Sequence, residues 1–203
     1  MFPRSEALPY VLPVALGAAA TAAAGYELAA LFLALLAASL GAFFRDPQRE
    51  SNTPLNCILS PADGRVVEVS SSENGVEIAI FLSIFNVHVI RSPLAGQLIE
   101  WKRVTGGYAM AFREHASSNA RHRVVIESPL GEVELSLIAG ALARRVVPFV
   151  MPPKDLERGE RIALIKFGSR TELRLPIGYS AVVSVGGTVR AGKTVVAKTL
   201  DIK

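Results

Sequence analysis

Hydrophobic and polar positions along this chain follow two regimes that change at Arg45. Before it, residues 9–24 and 28–44 are two apolar runs divided by Gly25, Tyr26 and Glu27, and Glu27 is the only charge between Pro9 and Phe44. Two such runs around a short break predict a helical hairpin. As helices they extend roughly 24–26 Å, slightly short of a hydrocarbon core of about 30 Å, so a thin crossing and a re-entrant hairpin are both open. Arg4 before the first run and Arg45 and Arg49 after the second fall on one side of the hairpin, which the positive-inside tendency makes cytoplasmic. A cleaved signal peptide, with Arg4 as its basic end and Ala22, Ala23 and Ala24 as its small-residue site, is the competing reading. The second apolar run, following at once, speaks against it.

After Arg45 the pattern is polar and twice punctuated by proline over residues 46–54, which predicts a linker. From residue 55 short β-type runs recur at 64–69, 76–83, 87–90, 97–104, 123–128, 133–138, 143–149, 161–167, 172–175 and 182–185, with glycine and proline between them. Helical periodicity is weak throughout. The expected layout is therefore a membrane-associated helical hairpin (1–45), a linker (46–54) and a mainly β sandwich or barrel (55–203). Residues 106–122 are the least regular and read either as a mobile surface loop or as a flap over a binding site.

Composition adjusts this picture only in places. The 203 residues suffice for one compact domain plus an appendage, and the 50% hydrophobic content is concentrated in the first 45. The net charge of +4 comes from scattered clusters (Lys102 with Arg103, Arg121 with Arg123, Arg144 with Arg145) with no interleaved aromatic stripe. That argues against nucleic acid and suits an anionic membrane surface, although solvated faces explain most such pairs. Cys57 is the one cysteine, so an internal disulfide is excluded, and its neighbours Ile58 and Leu59 mark it as a buried hydrophobe. His88, His115 and His122 do not fall in a zinc-binding pattern, and no metal is expected.

Candidate chemistry sits where the apolar run 162–165 drives into Lys166-Phe167-Gly168-Ser169-Arg170 and leaves as an alternating strand. A serine at a tight corner can attack its own backbone. Gly168 offers an unhindered carbonyl, and an amide-to-ester shift followed by elimination and hydrolysis would cut the chain and leave a pyruvoyl ketone at residue 169. Such a ketone forms a Schiff base with an amine and draws off electrons. A Gly-Ser pair reads equally as a plain turn or bulge.

Ser60-Pro61-Ala62-Asp63-Gly64-Arg65-Val66, the run from Phe81-Leu82-Ser83-Ile84-Phe85-Asn86-Val87-His88 to Pro93, and Phe167-Gly168-Ser169-Arg170 occur in that order. With Phe43-Phe44-Arg45-Asp46-Pro47, Arg144-Arg145 and the glycine-rich 187–193, they resemble the short-form phosphatidylserine decarboxylases over nearly the whole chain. Gly64-Arg65-Val66 with Gly187-Thr188-Val189 also resembles the barrel-sandwich hybrids of the lipoyl type.

The decarboxylase resemblance implies a proenzyme that cuts itself between Gly168 and Ser169 into a large chain (1–168) and a small pyruvoyl chain (169–203), which stay together as a heterodimer. The pyruvoyl group derived from Ser169 would be the cofactor, and an aminophospholipid at a membrane surface the substrate. It further implies that His88 takes the Ser169 proton while Asp63 orients His88. Without the resemblance, His88 reads as structural and Asp63 as a turn residue. Arg91 is a candidate for the lipid phosphodiester. Asn119 is a second substrate-binding candidate, in a segment that departs from the family pattern. Three alternatives stay open: archaetidylserine as the substrate, a membrane-anchored Ser-His-Asp hydrolase lacking the usual G-x-S-x-G elbow, and a non-enzymatic hybrid-barrel carrier.

Overall fold

The computed structural model describes residues 5–50, 52–106, 120–139, 145–166 and 169–200. The chain divides into two compact units, Met1–Gln48 and Arg49–Lys203.

The first unit is the helical hairpin. A 3-10 turn, Ser5–Ala7, leads into α1 (Leu8–Ala23), and α2 is Glu27–Phe43. Gly25 turns the chain between them at φ 82°, a conformation that disfavours a side chain. The helices pack through small residues: a methyl group on Gly17 would already lie 3.6 Å from Leu33. Thr21 hides its hydroxyl by donating to the Gly17 carbonyl at 2.9 Å, and the Tyr10 ring stacks on Phe44 at 5.4 Å. Leu12, Leu16, Phe32 and Leu35 point outward and exposed, where a water-facing helix would carry polar groups. Ser5–Ala23, at 19 residues, is long and apolar enough to cross a bilayer, while α2 has 17.

The second unit is mainly β. Its strands are β1 (Cys57–Leu59), β2 (Gly64–Ser72), β3 (Gly75–Leu82), β4 (Val89–Arg91), β5 (Gly96–Val104), β6 (Arg121–Ser128), β7 (Gly131–Ala139), β8 (Val146–Pro148), β9 (Lys154–Leu156), β10 (Arg161–Ile165), β11 (Ser169–Leu175), β12 (Tyr179–Ala181), β13 (Thr188–Val189) and β14 (Val195–Thr199). Among the described residues they form an eight-stranded sheet, β13-β2-β3-β11-β7-β6-β5-β9, and two three-stranded sheets, β1-β14-β12 and β4-β10-β8. The mainly β domain and the helical hairpin expected from sequence are both present, with sheets that are open, as in a sandwich, and not closed into a barrel.

Alternation along the long strands decides which face is buried. Ile78, Ile80 and Leu82 of β3, Leu135 and Leu137 of β7, and Leu173 of β11 enter a core shared with Ile90 and Ile162 from the smaller sheet. On the other face, charges pair across strands. Arg174 Nε lies 3.1 Å from Glu77, and Arg123 bridges Glu134 and Glu100 at 2.8 Å each. Arg170 binds Glu172 at 2.9 Å and Glu68 at 2.7 Å. Burial pushes the Glu172 carboxyl up despite the pull of Arg170.

Three expectations change. No strand forms at residues 182–185; the chain there bends toward Gly186 at φ 91°. β11 starts at Ser169, three residues before the expected 172. The presumed linker is fastened to the second unit, since Arg158 donates to the Thr53 and Pro54 carbonyls and Arg49 is buried within it. Cys57 is buried on β1.

His122 supplies a testable pH dependence. The indole N–H of Trp101 donates to His122 Nδ1 at 3.0 Å, which requires that nitrogen to be unprotonated. Burial, assisted by Arg103, lowers its pKa below the ordinary 6.5. A lowered histidine pKa means that the unfolded chain takes up the proton first. The stability from neutral His122 is therefore complete above pH 6.5 and declines as pH falls from there to the folded pKa. Emission from Trp101, the single tryptophan, should shift as pH falls through the folded pKa, below 6.5. The shift should vanish in His122→Gln, as read by fluorescence titration.

Candidate active site

Ser169 opens a central strand that follows the apolar β10 in the chain. β10 is buried from Ile162 to Ile165. β11 then runs between β3 and β7, with Ser169 opposite Leu82 on one side and Ala139 on the other. Ser169 is fully buried, and its Oγ makes no hydrogen bond among the described residues. A buried hydroxyl left so costs about 1–3 kcal/mol, a cost that native cores rarely carry without a use for the group. Phe167 and Gly168, the N-terminal side of the expected cut, lie outside the described residues.

His88 ends the connection between β3 and β4. Residues 83–88 leave β3 at Leu82, which faces Ser169, and rejoin the smaller sheet where the His88 carbonyl accepts the Ile165 N–H at 3.1 Å. The 83–88 connection is thus pinned at both ends, at Leu82 in the large sheet and at the His88 carbonyl in the smaller one. Asn86 shapes the first of them by accepting from the Ser83 N–H and Oγ at 2.9 and 2.8 Å. His88 is fully buried, with Nδ1 2.9 Å from the Asn86 carbonyl. A carbonyl can only accept, so this contact places the proton on Nδ1 and makes Nε2 the basic nitrogen.

Asp63 stands at the same end of the large sheet. Arg65 of β2 pairs with Phe81, and Phe81 with Arg170, which puts Gly64 level with Leu82 and Ser169, two strand spacings or about 10 Å from the latter. A side chain at Gly64 would press its first carbon 2.1 Å from the Phe81 carbonyl oxygen, so the close approach of β2 to β3 demands glycine. The Asp63 carboxylate does not bond His88. Arg49 grips it through both guanidinium Nη atoms, Nη2 to Oδ2 at 2.8 Å, and the Ala191 N–H donates to Oδ1 at 2.8 Å. Arg49 also donates to the Ala191 carbonyl at 2.7 Å.

Arg91 is buried and donates Nη1 to the Gly159 carbonyl at 3.0 Å, which ties β4 to the turn before β10. Asn119, with residues 107–119 of the expected flap, lies outside the described residues, while Arg121 and His122 at its end belong to β6. Sequence reading missed two participants. Asn86 was quoted within a motif without a role, and Arg49 was assigned to a linker. The pairing of Arg49 with an aspartate 14 residues away has no periodic signature.

A family model described as phosphatidylserine decarboxylase matches residues 36–197. The chain belongs to the phosphatidylserine decarboxylase family. It is 40% identical over 189 residues to a phosphatidylserine decarboxylase proenzyme of Streptomyces griseus, covering 92% of this chain and 87% of the relative. A proenzyme of the same description from Paraburkholderia phymatum is 38% identical over 183 residues, 86% of each chain. A protein of Methanococcoides burtonii, provisionally named an archaetidylserine decarboxylase proenzyme, is 38% identical over 161 residues, 79% of this chain and 76% of the relative. The family makes this chain a decarboxylase, a lyase of phospholipid synthesis.

The Arg49–Asp63 pair has side chains only 7% and 11% exposed. Removing one partner of a buried pair typically costs about 3–5 kcal/mol, because the other is left charged and unpaired. In a Ser169→Ala background, Arg49→Met should lower the urea midpoint accordingly. Adding Asp63→Asn should recover part of the loss, whereas additive losses would show that the pair is not coupled.

Proposed function

We propose that this decarboxylase converts its own Ser169 into a pyruvoyl group and uses it to turn phosphatidylserine into phosphatidylethanolamine. The observation that supports this best is the burial of Ser169 at the start of β11, with an Oγ that makes no hydrogen bond among the described residues, opposite the point where the fixed 83–88 connection carrying buried His88 leaves β3.

In the maturation step, His88 Nε2 accepts the Ser169 proton as Oγ attacks the Gly168 carbonyl carbon, and the C–N bond breaks to give an ester with a released amine. Loss of the Ser169 α-proton expels Gly168 as a carboxylate and leaves a dehydroalanine on the small chain. One water then replaces nitrogen by oxygen and releases ammonia. The Asn86 carbonyl keeps His88 in the tautomer this step needs. Asp63 acts as a positioning residue, holding the start of β2 level with Ser169 through Arg49 and Ala191. This differs from a direct Asp63-His88 contact.

Once formed, the pyruvoyl ketone supplies an electron sink for an amine-bearing substrate that loses carbon dioxide. The fit of the site to this group rests on Ser169 itself, buried and with an Oγ that makes no hydrogen bond among the described residues. His88 would return a proton to the substrate carbon after carbon dioxide leaves. Arg91, committed to Gly159, is not carried forward as the phosphodiester ligand.

The cut chain would stay assembled. β11 pairs with β3 and β7, β13 with β2, and β14 with β1, so strands of residues 169–203 are built into sheets of residues 1–168. The apolar hairpin would attach the enzyme to the cell membrane, with Arg4 and Arg45 favouring the cytoplasmic side for the catalytic unit. Archaetidylserine is the second reading, supported by the Methanococcoides relative. The reacting headgroup is the same, and parallel assays with ester- and ether-linked lipids separate the two.

Borohydride added with phosphatidylserine should fix the lipid covalently to residues 169–203, and hydroxylamine should abolish turnover. Full activity after hydroxylamine, or lipid fixed only to a lysine of residues 1–168, excludes the pyruvoyl reading. His88→Ala should remain an uncut chain with the wild-type circular dichroism spectrum, and Asp63→Ala should cut slowly. Normal cutting of His88→Ala would assign the proton transfer to another group.

A further inference from the structure

Two large apolar side chains stand exposed on the rim of the candidate site. Ile84 and Phe85 are 56% and 79% exposed, although Leu82 and His88, on either side of them in the chain, are fully buried. The turn that presents them is a built one. Besides accepting from Ser83 through its side chain, Asn86 donates its N–H to the Ser83 carbonyl at 3.0 Å, so Ile84 and Phe85 are the central residues of a closed four-residue turn. Scattered exposed hydrophobes are ordinary on a protein surface. An adjacent pair on a fixed turn is different, because the turn's hydrogen bonds hold the apolar side chains in water.

The same rim is cationic. The Lys166 N–H donates to the Arg145 carbonyl at 3.1 Å, and the preceding Ile165 N–H to the His88 carbonyl, so Lys166 follows the β10 residue that holds the 83–88 connection and Arg145 lies one strand further out, just before the start of β8. Arg145 is exposed. Residues 83–88 contain no acidic side chain. Apolar side chains at a tip with cations beside them are complementary to the surface of an anionic bilayer, which offers acyl chain below and phosphate above.

We propose that Ile84 and Phe85 insert into the anionic membrane that carries the substrate, with Arg145 and Lys166 against its headgroups, as a contact additional to the N-terminal hairpin. The proposal rests on the lipid-decarboxylase reading above. Because Ser169 and His88 are buried, a serine headgroup must leave the bilayer surface to reach them, and a rim seated in that surface shortens the transfer. Ile177, 71% exposed past the far end of β11, has no such setting and serves as a control.

The test uses the full, self-processed chain on phosphatidylserine in phosphatidylglycerol vesicles and, separately, on water-soluble dihexanoyl phosphatidylserine. For Ile84→Ser/Phe85→Ser the ratio of vesicle to soluble turnover should fall by about tenfold or more, while Ile177→Ser should leave it in place. In Phe85→Trp, brominated phosphatidylglycerol should quench emission beyond what it removes from wild-type Trp101 alone, a reading that needs no turnover. An unchanged ratio, an equal loss on both substrates, or no added quenching overturns the proposal. So does conversion of an oligomer to a monomer by the serine pair without loss of vesicle binding, which would make the patch a protein contact. If wild type decarboxylates neither lipid, the failure belongs to the functional reading, and the quenching measurement still decides the membrane contact.

Discussion

The structure around the site depends on the backbone pairing that fixes Ile165 and Ser169. On one side the Ile165 N–H is fixed to the His88 carbonyl, and on the other Ser169 is locked between β3 and β7. β11 cannot slide in this register, since a one-residue slip would turn Leu173 and Leu175 out of the core and bring Glu172 and Arg174 in. The side-chain arrangement follows from this. Ser169 is buried because it begins a central strand, and the 83–88 connection that carries His88 leaves β3 directly opposite it. Asn86 then selects the protonated ring nitrogen.

The elements that sequence made legible are those with strong local patterning. The two apolar helices, and long strands such as β3, β5 and β7, show their period directly, and the core face follows from it. β11 was legible only from residue 172, because Arg170 and Glu172 look like polar surface until they are seen to neutralise each other beside Glu68. Very short strands such as β9 and β13 owe their existence to partners far away in the chain, which no local pattern reveals. Residues 182–185 show the converse, a valine-rich run that the following Gly186 bends out of a sheet.

At the site, Ser169, His88 and Asp63 were singled out by family resemblance, and their chemistry was not legible from periodicity. What resemblance left unsaid was how they are held. Asp63 is gripped by Arg49, a residue that composition assigns to a linker, and His88 is oriented by a backbone carbonyl in place of a carboxylate. Both are long-range or main-chain interactions. The linker arginine also bears on domain organisation, because the chain enters the catalytic unit through a buried ion pair and so begins that unit at Arg49, six residues earlier than the polar pattern suggests.

The central claim is that residue 169 is made, by self-cleavage, into the reacting group. Intact mass of the purified wild-type chain under denaturing conditions tests it most directly. The account predicts two species, residues 1–168 ending in a free carboxylate and residues 169–203 beginning in a ketone, with Ser169→Ala remaining a single mass. A wild-type chain that decarboxylates its lipid at full rate while retaining one uncut mass would contradict it.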